Sequence, residues 1–205
     1  MRKKYILLIS IFVLMVTVGS YIGYNILDTD NETITELSQE EGESLIIGQG
    51  SLFGFSIEDL IERSDIIVFG SVEEVLPAKK GTFLADDMIY HDVIIDVEQY
   101  LFGKNGQERI SVRMLGGTVD GETLIVGDIQ ASFIPDEQVI LFLSHPPENS
   151  LEQLPEGIDK DSLYITTGAK LGKYSYKNGS AYNYKDETIT IETLEDKISV
   201  IRDTK

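Results

Sequence analysis

Between Met88 and Leu101 the chain alternates, with Val93, Ile95 and Val97 on one side of an extended backbone and Asp92, Asp96 and Glu98 on the other. Successive side chains of a strand point to opposite faces, so this stretch reads as a strand with one buried and one wet side. ERISVRML repeats the pattern: Ile110, Val112 and Met114 alternate with Arg109, Ser111 and Arg113, and Lys104-Asn105-Gly106-Gln107 turns the chain between the two runs. Gly116-Gly117 and Asp120-Gly121 are turn dipeptides, the second leading a hairpin into TLIV. QVILFLS, Gln138 to Ser144, is apolar without alternation, as expected of a central strand covered on both faces. Pro146-Pro147 closes it, and Glu148 to Asp161 reads as an acidic surface loop. Asn178-Gly179 predicts a type I′ turn between KYSYK and SAYNY. The fold class is therefore mainly β, built from short antiparallel strands.

One residue in the first strand bears on how these strands assemble. DIIVFGSVEEV sets Gly70, with no side chain to pack, among Ile66, Val68, Phe69 and Val72. An edge glycine in an open twisted sheet is one explanation. The succession of short strands behind one long first strand favours the other: a sheet that curls until its edges meet, with Gly70 permitting a bend or bulge and a close approach of the neighbouring strand. The expectation is a small antiparallel barrel of the oligonucleotide/oligosaccharide-binding (OB) kind. A short helix precedes it, with Ser56 and Asp59 as a capping box and Ile57, Leu60 and Ile61 at helical spacing. A C-terminal amphipathic helix follows, marked by Ile191, Leu194, Ile198 and Ile201, with Thr193 and Asp196 as its cap.

Arg2, Lys3 and Lys4 precede Tyr5 to Tyr24, a run free of charged residues. About 20 residues of helix span the ~30 Å hydrocarbon core of a bilayer. The next basic residue after Lys4 is Arg63, so the positive-inside rule expects the N-terminus in the cytoplasm and the remainder outside. Val18-Gly19-Ser20 offers small residues to a signal peptidase, which would leave a secreted product, but the length of the run favours a retained anchor. The organisation expected is residues 1–27 as membrane anchor or signal segment, 28–52 as an acidic stalk and 53–205 as one extracytoplasmic barrel domain. Asp28, Asp30 and Glu32 lack the glycine and closing glutamate of a calcium loop. With no cysteine, neither a lipoprotein thioether nor a disulfide can form.

The combination of IEDLIERSDIIVFGSVEEV, HDVIIDVEQYLFG, VRMLGGTVDGETLIV and DEQVILFLS resembles exported prokaryotic proteins whose barrel is similar to the netrin-like and metalloproteinase-inhibitor (TIMP-like) modules. The resemblance spans about Ser56 to Ser144 and implies the barrel architecture. The animal inhibitors act through a processed N-terminal cysteine that chelates zinc, and this chain has no residue to match it, so the activity does not carry over.

The residues offer little to catalysis. A net charge of −18 opposes nucleic acid, whose affinity comes mostly from Lys and Arg. HExxH, GxSxG, GxGxxG and Walker-type loops are absent, so no catalytic, cofactor-binding or metal-binding residue is assigned. His91 and His145 are the only imidazoles; His91 and Asp92 point to opposite faces, and His145 reads as a loop residue. Asp86-Asp87, Glu73-Glu74 and Asp159-Lys160-Asp161 are expected in a chain this acidic. The most suggestive cluster is Tyr174, Tyr176, Tyr182 and Tyr184. Counting out from Asn178-Gly179, Tyr176 faces Ala181 and Tyr182 faces Ser175, so one pair packs on the core while the other stays open to a glycan or protein. Asn31 and Asn178 head glycosylation sequons. The expected function is a non-catalytic binding module held to the membrane by its N-terminal helix, with an envelope protein or glycan as partner. A protease-inhibitor-like role and an envelope hydrolase are the alternatives.

Overall fold

The computed structural model describes residues 44–48, 54–103, 106–151 and 153–202. Helix α1 (Ile57–Arg63) starts at the expected box: the Ser56 hydroxyl accepts from the Asp59 amide at 3.1 Å, and the Asp59 carboxylate accepts from the Ser56 amide at 2.9 Å. The hydrogen bonds from Ser56 hold the Asp59 carboxyl below the usual carboxylate range. Ser56→Ala is expected to cost about 1 kcal/mol, read as a lower melting temperature by circular dichroism. Because Asp59 titrates lower in the folded state, its part of this advantage is present above the ordinary carboxylate pKa and lost as pH falls through the folded one.

The strands, in chain order, are β1 (Ser44–Gly48), β2 (Ile66–Val75), β3 (Lys79–Phe83), β4 (Ala85–Phe102), β5 (Arg109–Leu115), β6 (Gly117–Val119), β7 (Glu122–Val126), β8 (Gln138–Ser144), β9 (Leu163–Thr166), β10 (Lys173–Lys177), β11 (Ser180–Tyr182) and β12 (Thr188–Ile189). Five of them close a barrel in the order β8-β2-β4-β5-β9, with β9 pairing back onto β8. The sequence predicts antiparallel neighbours throughout. Within the ring one pair departs from this: β5 and β9 run parallel, Ser111 beside Leu163 and Val112 beside Tyr164. A ring with an odd number of strands cannot alternate direction at every step, so closure with five requires such a pair.

Gly70 stands where β2 meets β4. A Cβ on it would lie 2.2 Å from the Asp96 carbonyl oxygen. The register slips at the same place: Phe69 faces Gln99 and Gly70 faces Val97, leaving Glu98 as the extra residue of a bulge. Further slips fall between Ile67 and Val68 and between Val72 and Glu74, so the longest interstrand seam of the barrel is also its most irregular in register. The glycine serves close approach between backbones.

Alternation then distributes the core. Val68, Val72, Val93, Ile95, Ile110, Val112, Val139 and Leu141 fill the barrel. From the same strands Ile67, Phe69, Ile140 and Phe142 point outward and pack against Leu60 and Ile61 of α1 and Leu194 and Ile198 of helix α2 (Ile191–Arg202). β8 is thus covered on both sides, as its unbroken apolar run predicts. The cap of α2 is Thr190, whose hydroxyl accepts from the Thr193 amide at 3.2 Å; the expected cap at Thr193 lies inside the first turn. At the far end of α2 the Arg202 guanidinium sits 4.0 Å over the Phe102 ring and donates to the Ile61 and Ser64 carbonyls, tying the two helices together.

One edge of β8 pairs with β2; the other is divided, Leu143 and Ser144 closing the ring onto β9 while Val139 to Leu141 pair with β10. The β10–β11 hairpin therefore extends from the barrel without belonging to the ring. Separately, β6 and β7 form the expected Asp120-Gly121 hairpin, and β1 pairs in parallel with β7. A strand thus lies inside the 28–52 segment that composition reads as stalk. Among the described residues no helix is long and apolar enough to cross a membrane; Tyr5 to Tyr24 and Asn31 lie outside them.

Candidate functional site

The alternation of β4 and β5 misleads at one point. Asp92 and Arg113 belong to the sets expected to face water, yet both side chains are fully buried and form a two-pronged ion pair, Nε to Oδ1 at 2.7 Å and Nη2 to Oδ2 at 3.0 Å. They are cross-strand partners. The cover over them is the connection from β8 to β9, which its acidic composition predicts to be a free surface loop. Arg113 donates to the Ser150 carbonyl at 2.8 Å and to the Gln153 carbonyl at 3.1 Å, while the Tyr90 hydroxyl donates to Gln153 Oε1 at 3.2 Å. The guanidinium also lies 4.3 Å over the Tyr90 ring, and Lys79 Nζ is 3.8 Å from the Asp92 carboxylate. This connection is a strap fastened across the outer face of β4 and β5, and the guanidinium that fastens it is held by protein acceptors. A signal for the pair exists in the sequence: Asp92 and Asp96 on one strand and Arg109 and Arg113 on the next repeat at the same spacing, so an antiparallel hairpin sets acid opposite base. Arg109 instead turns to Glu73, at 2.5 and 3.0 Å on the surface.

The tyrosine hairpin forms in the register predicted for it. Asn178 and Gly179 both have positive φ, 54° and 84°, as a type I′ turn requires; Tyr176 faces Ala181 and Tyr182 faces Ser175. Tyr174 is buried beside Phe142, with ring centroids 5.7 Å apart, and Asn183 Nδ2 donates to its hydroxyl at 3.4 Å. Burial of this phenol pushes its pKa up. Tyr176 meets Phe69 edge-on at 4.9 Å. Tyr182 and Tyr184 remain exposed, at 38% and 45%. The Lys170 ammonium lies 4.4 Å from the Tyr184 ring centre and that of Lys185 5.5 Å from it. Two tyrosines thus fix the hairpin to the helices' core, and two stay exposed, Tyr184 with lysine ammonium groups over its ring. On the core side, a groove of about 420 Å³ runs past Phe55, Ile57, Leu171, Tyr174, Asn183 and Thr188.

The two imidazoles serve separate local ends. His91 Nδ1 is 3.0 Å from the Gly116 carbonyl, and His145, exposed, stacks on Tyr164 at 4.5 Å while its backbone amide donates to Asp65. Among the described residues neither ring is hydrogen-bonded to a carboxylate. Nor do three or more His, Asp or Glu side chains among them gather as metal ligands; Asp86, Asp87 and Asp92 are split by the burial of Asp92 in its ion pair. Asn178 sits exposed at the hairpin tip. No protein-family model and no curated protein matches the chain.

Proposed function

We propose that this protein is a non-catalytic binding module, tethered by its N-terminal segment and facing outward from the membrane, on a barrel of the OB type. The order of the ring, first-second-third-fifth-fourth strand with third and fifth parallel, supports the OB reading and the kinship in architecture with netrin-like and metalloproteinase-inhibitor barrels. OB barrels commonly bind on the face of their second and third strands. In this chain the strap and the Asp92–Arg113 pair occupy that face, which leaves the β10–β11 hairpin as the recognition surface. The observation that carries the reading is the division of its tyrosines into a pair packed on the core, Tyr174 buried and Tyr176 partly so, and an exposed pair, Tyr182 and Tyr184.

The full-length protein in detergent should capture its partner from envelope extract. Tyr182→Ala with Tyr184→Ala should weaken capture roughly tenfold or more, with an unchanged melting temperature. Unaltered capture would refute the hairpin as the contact. Placement outside the membrane has its own test, because a chain without cysteine accepts a single reporter. Asn178→Cys should react with a membrane-impermeant maleimide in intact cells; labelling only after lysis would place the barrel inside.

A further inference from the structure

The hairpin's surroundings differ in charge from the rest of the molecule. The chain carries a net −18, yet from Ser162 to Lys185 it contains Lys170, Lys173, Lys177 and Lys185 and no Asp or Glu. Elsewhere several basic side chains are answered by acids, Lys80 by Glu122, Arg109 by Glu73, Arg113 by Asp92 and Lys197 by Glu58, while Arg202 donates to backbone carbonyls and Arg63 lies over Phe55. Within the stretch Lys173 is likewise engaged, donating to both oxygens of Glu137 and to the Ser132 carbonyl. For Lys170, Lys177 and Lys185, no carboxylate among the described residues lies within ion-pair distance. Of the acids around the hairpin, Glu137 is held by Lys173 and Ser175 and Glu187 by Asn183, and Asp186 follows Lys185 in the chain without pairing with it. Lys177 and Ser180 are cross-strand partners two steps beyond Ser175 and Tyr182, so Lys177 and Tyr182 share one side of the ribbon, and Lys170 and Lys185 flank Tyr184.

We infer that the ligand of this surface is an anionic polysaccharide, its sugar rings against Tyr182 and Tyr184 and its acidic groups on Lys170, Lys177 and Lys185. The inference rests on the reading of the hairpin as the binding surface and names what it binds. Flat phenol rings offer apolar area with a hydroxyl, which suits the face of a sugar, and three uncompensated ammonium groups suit acidic substituents. A peptide cannot add itself as a strand directly to β11 at Ala181 and Tyr182, because β12 already pairs there, Thr188 beside Tyr182 and Ile189 beside Ala181. The charge of the whole chain does not forbid a polyanion: at physiological salt a field decays over about 8 Å, so the local lysines govern.

Affinity electrophoresis of the full-length protein in detergent tests this against three polymers: alginate (a polyuronate), neutral dextran and polyglutamate. Alginate should retard the protein, and dextran and polyglutamate should not. Both the triple variant Lys170→Gln, Lys177→Gln, Lys185→Gln and the double variant Tyr182→Ala, Tyr184→Ala should lower alginate affinity about tenfold or more, with melting temperatures unchanged. Equal retardation by dextran would make the ligand a neutral glycan, equal retardation by polyglutamate would make it acidic chains in general, and either overturns the inference. So does indifference to alginate, or alginate binding untouched by the lysine substitutions. If alginate fails while capture from envelope extract still depends on Tyr182 and Tyr184, the ligand class falls and the hairpin reading stands.

Discussion

Arg113→Met is expected to destabilise the folded protein by about 3–5 kcal/mol, because it leaves the Asp92 carboxylate charged and without its guanidinium in a site from which water is excluded. Lys79 offers weak relief, at 3.8 Å and from the rim. The loss extends beyond the pair, since the Ser150 and Gln153 carbonyls also lose their donor. The strap should therefore loosen before the barrel opens. Urea unfolding followed by circular dichroism gives the first effect, and limited proteolysis within residues 145–158 gives the second. Removing both charges with Asp92→Leu and Arg113→Met should restore part of the stability, as buried ion pairs replaced by apolar groups of similar size often do, but not the protection of the strap, whose carbonyls stay unanswered. A double variant as unstable as Arg113→Met alone would show that the charge of Asp92 is not what makes the single change costly.

Gly70→Val is expected to cost about 3 kcal/mol or more, since even the first carbon of a side chain would fall 2.2 Å from the backbone oxygen of Asp96 and neither strand can yield without opening the β2–β4 seam. Gly54→Ala is the control: nothing lies within 4 Å of a Cβ there, and the change should stay within about 0.5 kcal/mol. Melting temperatures of the two variants decide it. A mild effect at residue 70 would mean that the seam is slack and that the bulge at Glu98 does not depend on the glycine.

What was legible in the sequence is what chain neighbours decide among themselves. The capping box at Ser56, the turns at Asp120-Gly121 and Asn178-Gly179 and the facing of Tyr182 with Ser175 depend on a few consecutive residues, and each forms as expected. The closed barrel was legible less directly, through Gly70 and the number of strands. The parallel step between β5 and β9 was not, because strand direction at closure follows from counting staves, which no local pattern records. The pattern misleads at Asp92 for a related reason. Alternation tells which residues share a face but not what covers that face, and the cover comes from Ser150 and Gln153, far along the chain. The Asp and Arg spacing on β4 and β5 was the available clue. For the candidate site, the tyrosines were visible, whereas the lysines around them that lack an acid partner emerge only from the ion pairs of the folded chain.

The split edge of β8 has a consequence for how such a protein can change over generations. Because the ring completes itself through Leu143 and Ser144 and the hairpin hangs from Val139 to Leu141, the tip can be rewritten without touching a stave. New preferences are then open to drift at positions such as Tyr182, Tyr184 and Lys177, while the scaffold beneath stays as it is.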